Sequence, residues 1–180
     1  MGRKVGGFVM DNRYPIGQFN CPSEVQEKDI QMWIKEITTL PSRLHALTVS
    51  LDELELTKTY RENSWNVRQL IHHISDSHLN GYMRMKLALT EDNPVVKTYE
   101  ESEWAKLIDY ELPIRVSLQL LESLHERWTY LLKNLTATQL QRTYQYPDGS
   151  IMRIEQSIAL YAWHGNHHLA HIQQALIRTK

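Results

Sequence analysis

Four stretches of the chain repeat apolar residues at the three- and four-residue intervals of a helix. The first, about 23–47, sets Ile30, Trp33, Ile34, Ile37, Leu44 and Leu47 on one stripe behind Ser23, a candidate N-cap. Pro41 falls inside it and is expected to bend or interrupt it. The second, about 66–89, carries Val67, Ile71, Ile74, His78 and Met85, and Asn66 with Gln69 resembles a capping box. The third, about 113–135, carries Leu118, Leu121, Leu124, Trp128, Leu131 and Leu135, with Pro113 suited to a first helical position. The fourth, about 154–178, carries Ile158, Tyr161, Gly165, His168, Ile172 and Leu176.

Helices of roughly 23 to 25 residues are about 35 to 38 Å long, and four of them predict an all-α protein, a four-helix bundle. The connections are longer than a minimal up-and-down bundle needs, so some are expected to cross over or to cover one end. "YQYPDGSIM" sets a Pro-Asp-Gly turn between short β-prone pieces and predicts a small hairpin before the last helix. No internal repeat or low-complexity tract divides the chain, and 180 residues suit one domain with a substantial core.

Charge and cysteine usage narrow the function classes. A formal net charge of −1 argues against a nucleic-acid surface. No apolar run approaches the roughly 20 residues of a membrane span. The start, "MGRKVGGFVMDNRYP", is too interrupted for a signal peptide, and residues 1–13 are read as a flexible extension to a domain of residues 14–180. A single cysteine, Cys21, allows no internal disulfide and fits a reducing cytoplasm; in "NCPSE" it reads as a loop residue.

The chemistry on offer is imidazole. "LYAWHGNHHLAHIQQ" holds His164, His167, His168 and His171, and "IHHISDSH" holds His72, His73 and His78. Residues four apart on a helix lie about 40° apart and one turn on, so two imidazoles at that spacing can grip one ion. Both His164/His168 and His167/His171 satisfy this, and the spacing leaves the choice open. A third ligand from the facing second helix, His73 or His78, would complete a three-histidine set with a fourth position for water or substrate. His72 and His167 read as surface residues, and Trp65 and Trp163 as core or rim packing. No HExxH, GxSxG, P-loop or paired CxxC is present, and Ser75-Asp76-Ser77-His78 is not a triad, because successive helix positions diverge.

"YPIGQF", "SWNVRQLIHHISDSHLNGYMRMKLALTEDNP", "LHERWTYLLKNLT" and "IALYAWHGNHHLAHI" resemble the DinB/YfiT-like proteins, from about residue 14 to the end. That family comprises candidate metal-dependent hydrolases, with bacillithiol S-transferases and a mycothiol-dependent isomerase among its relatives. The resemblance implies an antiparallel four-helix bundle, a divalent metal (zinc, or else nickel), a small-molecule substrate, a low-molecular-weight thiol as a candidate cosubstrate, and often a homodimer. Carried over by position, it places the metal ligands at His73, His164 and His168.

The face of the second helix that carries His73 also carries Ser77, Asn80 and Arg84, with Asp76 at its edge. Asp76 is a candidate catalytic residue, either accepting an N–H from a ligating imidazole or acting as a general base. Arg84 is a candidate clamp for an anionic thiol. Two other classes compete: a non-catalytic metal-binding stress protein, and a helical interaction module whose histidines only pack.

Overall fold

The computed structural model describes residues 12–177. The expected extension, 1–13, lies outside them except for Asn12 and Arg13, as does the expected last residue of the fourth helix, Arg178. The four predicted helices are α1 (Glu27–Thr48), α3 (Val67–Thr90), α5 (Arg115–Lys133) and α7 (Ile154–Ile177). Between them come α2 (Glu53–Leu56), α4 (Glu101–Trp104), a 3-10 turn at Ile108–Glu111, α6 (Ala137–Leu140), and strands β1 (Thr143–Gln145) and β2 (Ile151–Arg153). The strands pair antiparallel, Tyr144 opposite Met152, and form the expected hairpin. Among the described residues no helix is long and apolar enough to cross a membrane.

Local chemistry sets the helix ends. Asn66 caps α3 and Gln69 returns the bond, as the sequence indicates. At α1 the box forms at Gln26 and Asp29, so the helix starts four residues after Ser23. Pro41 does not interrupt α1. A proline inside a helix leaves the carbonyl four residues earlier without its usual donor. That carbonyl, on Ile37, is taken instead by His125 Nδ1 of α5 at 2.7 Å.

α1 packs on α5 and α7, and α3 packs on the same two. The helices consecutive in sequence, α1 and α3, or α5 and α7, therefore stand across the diagonal. Paired levels give the directions. His72 meets Ser117, His78 meets His125 and Met85 meets Trp128, so α3 and α5 run parallel. His73 and His78 meet α7 in descending order, at His168 and His164, so α3 and α7 are antiparallel. Residues 91–114 form the crossover that a parallel α3–α5 pair requires.

The core has two apolar clusters. One gathers Ile34, Ile37, Met85, Trp128, Ile158 and Tyr161. The other gathers Leu40, Leu44, Leu70, Ile74, Leu121 and Ile172. Between them lies a polar layer, with His78 and His125 stacked at 5.0 Å, ring planes 14° apart. Burial holds His125 down to about 4 and His78 well below the ordinary histidine range.

Two predictions follow from this packing. Gly81 sits where α3 meets Tyr161, and a Cβ there would lie inside the ring's van der Waals envelope. Alanine gains about 1 kcal/mol in helix propensity, but a Cβ so close to Tyr161 Cζ forces the buried ring to shift. Gly81→Ala is expected to lower stability by about 1–2 kcal/mol net, read from denaturant midpoints. The second concerns pH. An unfolded histidine takes up a proton near 6.5, whereas folded His125 resists down to about 4. The unfolded state thus binds more protons in that window, and stability falls as pH drops through it. Denaturant midpoints of metal-free protein should be level above about pH 6.5 and decline steadily toward about pH 4.

Candidate metal centre

α3 and α7 bring three of the predicted residues together. His73, His164 and His168 each offer one ring nitrogen, and these atoms lie within 4.8 Å of one another. His73 Nε2 and His164 Nε2 are 3.3 Å apart. A tetrahedral zinc ion with ordinary Zn–N bonds separates its ligand nitrogens by about 3.3 Å, so the pair already stands at ligand spacing. The His168 ring closes the third side, centroids 4.8 Å from His73 and 4.5 Å from His164. The donor set fits a divalent cation that accepts neutral nitrogen. Burial, followed by the neighbouring imidazoles, keeps His164 and His168 neutral, and His73 is held down to about 4. Neutral imidazole is the ligating form.

Other histidines of α3 and α7 lie around these three. His78, the alternative third ligand, lies behind the site with Nε2 at 3.2 Å from His164 Nδ1. His72 is buried, contrary to the surface reading, between Ser117 Oγ at 2.7 Å and the Leu112 carbonyl at 3.0 Å. The segment entering α5 covers a second face of α3, which periodicity alone does not reveal. His167 is also buried rather than exposed, stacked on Trp163 at 4.4 Å. Residues 12–20 cover that side of α7: the Gly17 carbonyl accepts from Trp163 Nε1 at 3.2 Å, and the Arg13 carbonyl accepts from His171 Nε2 at 3.2 Å. Trp65 packs on one core cluster and tilts against His73 at 4.6 Å.

Asp76 does not receive a ligand N–H. Its Oδ2 accepts from the Tyr110 hydroxyl at 2.7 Å, and burial pushes its carboxyl up, the Tyr110 bond opposing. Arg84 lines a cavity of about 300 Å³ that reaches His164 and is bordered by Ser77, Tyr99, Glu101 and Tyr161. Its Nη2 donates to the Lys97 carbonyl at 2.9 Å, and its buried Nε has no partner. Burial raises the Glu101 carboxyl, with Arg84 pulling the other way. Sequence reasoning missed Tyr99, Glu101 and His125. The first two come from the crossover, where no periodicity marks them. His125 had a readable signal: it falls on the stripe between Leu121 and Trp128, where a polar ring needs partners.

Comparison with known proteins identifies the relatives of this chain. The sequence profile of the DinB superfamily matches residues 36–172. A candidate metal-dependent hydrolase of Oceanobacillus iheyensis is 49% identical over 163 residues, spanning 91% of this chain and 95% of the relative. One from Bacillus cereus is 49% identical over 162 residues, spanning 90% and 94%. The solved structure of YfiT from Bacillus subtilis, described as "a probable metal-dependent hydrolase with an unusual four-helix bundle topology", superposes with a TM-score of 0.88 at 37% identity, covering 91% of this chain and 95% of that one. The mycothiol-dependent maleylpyruvate isomerase shares the fold, with a TM-score of 0.64 at 14% identity, covering 79% and 60%. With the bundle, its diagonal connectivity and the profile match in agreement, the chain belongs to the DinB superfamily.

Proposed function

We propose that this chain is a metal-dependent hydrolase in which His73, His164 and His168 hold one divalent cation, zinc in preference to nickel. The observation that carries the reading is the convergence of three ring nitrogens within 4.8 Å beside a cavity that reaches His164. The chemistry such an ion supplies is Lewis acidity, strong enough to make a water or a thiol lose its proton near neutral pH. The hydrolase names of relatives at 49% identity point the same way.

The chain's own groups divide the remaining work. Arg84, with a buried N–H still to satisfy, is placed to hold an anionic group of a small substrate. The Tyr99 hydroxyl, kept protonated by burial and without a partner, is placed at the cavity wall to donate to a substrate. Glu101 lines this cavity with a raised carboxyl and is the first candidate proton acceptor. Asp76 is the second: it holds Tyr110, and with it the 3-10 turn, against α3. The partnerless Arg84 N–H equally suits an anionic low-molecular-weight thiol, which makes thiol transfer to an electrophile the second reading.

Elemental analysis of untagged protein is expected to find about one transition-metal ion per chain. His73→Ala and His164→Ala should abolish that content and His72→Ala should keep it; metal-free wild type would sink the assignment. Arg84→Ala should raise KM about tenfold or more for an anionic ester while changing kcat little. Conjugation of a low-molecular-weight thiol to monochlorobimane, without ester hydrolysis, would favour transfer.

A further inference from the structure

His78, His125 and His171 are buried imidazoles that the proposed chemistry does not use, yet each bonds to another histidine. We propose that they are positioning residues: two imidazole chains, each anchored on a backbone carbonyl, fix His164 and His168 as Nδ1–H tautomers that offer bare Nε2 atoms to the site. This rests on reading His73, His164 and His168 as the ligand set.

The direction of the first chain follows from its anchor. A carbonyl can only accept, so His125 Nδ1, 2.7 Å from the Ile37 oxygen, must carry hydrogen. Neutral His125 then has a lone pair on Nε2, and His78 Nδ1, at 3.0 Å, donates to it. His78 is left with a lone pair on Nε2, so His164 Nδ1, at 3.2 Å, donates in turn. What remains on His164 is a bare Nε2, the atom 3.3 Å from His73 Nε2. Pro41 starts this order, because it removes the backbone N–H that the Ile37 carbonyl otherwise accepts.

The second chain repeats the logic from the other side of α7. His171 Nε2, 3.2 Å from the Arg13 carbonyl, carries hydrogen, and stacking on Tyr60 at 3.9 Å holds its ring. Its bare Nδ1 accepts from His168 Nδ1 at 3.3 Å, which leaves His168 with Nε2 to give. His171 Nδ1 is thereby spent. The neighbouring triplet His167, His168 and His171, whose nitrogens also lie within 4.8 Å of one another, is support and not a second ion site.

Long-range proton–nitrogen correlation spectra of isotope-labelled, metal-free protein test the chains without any ion. Expected are Nδ1–H tautomers at His125, His78, His164 and His168, and Nε2–H at His171. An imidazole free in water favours Nε2–H, so the pattern is not the default. Nε2–H at His164 or His168 overturns the proposal, whether or not the protein binds metal. Zinc titration adds a second readout. His125→Phe, which keeps ring shape but removes both nitrogens, should weaken zinc binding about 10- to 100-fold, as loss of an orienting partner does. His125→Gln, with one donor and one acceptor, should recover most of that loss. Equal affinities for the two variants, both folded by circular dichroism, would mean volume matters and not bond polarity, which overturns the proposal. So would two zinc ions per wild-type chain. If His125→Phe does not fold, the wild-type tautomers decide alone.

Discussion

Burying an imidazole costs free energy unless its ring nitrogens find partners. This bundle sets His73, His78, His125, His164 and His168 at one level of its core. The rest of the molecule answers that demand. Apolar clusters close the layer above and below, so water does not solvate the rings from either end. Backbone carbonyls of Ile37 and Arg13 stand at its margins as acceptors. Of these five rings, His73 keeps a buried nitrogen, Nδ1, without a partner.

The diagonal connectivity serves the same end. The three proposed ligands come from two antiparallel neighbours, α3 and α7, and α5 supplies support from parallel α3's other side. The crossover 91–114 returns the chain to the starting end of α3 and, in passing, walls the cavity with Tyr99 and Glu101. Connection length thus has a structural use, and the cavity lies at the layer's open side.

Much of this was legible in the chain. The long helices follow from apolar spacing, and Asn66 with Gln69 marks the start of α3 correctly. The hairpin follows from Pro-Asp-Gly. The proposed ligand set needed more: spacing left His164/His168 against His167/His171, and His73 against His78, and family resemblance made the choice. Burial of His72 and His167 escaped because periodicity reports one face of a helix, whereas α3 and α7 are covered on several by segments with no period of their own. Four-residue helices such as α2 and α6 are too short to leave a pattern. Pro41 reads as a helix breaker because its cost is local, while its compensation, His125, lies 84 positions further along the chain.

The contact between His73 and His164 joins positions 91 residues apart. An ion gripped there is a clip closing a long loop, the arrangement in which a cross-link removes most freedom from the unfolded chain. Any cation that binds the folded form alone also shifts the folding balance by mass action. With the proposed ion bound, the melting temperature of this bundle would gauge the free metal around it, and starvation for the ion would reach the protein as a loss of abundance.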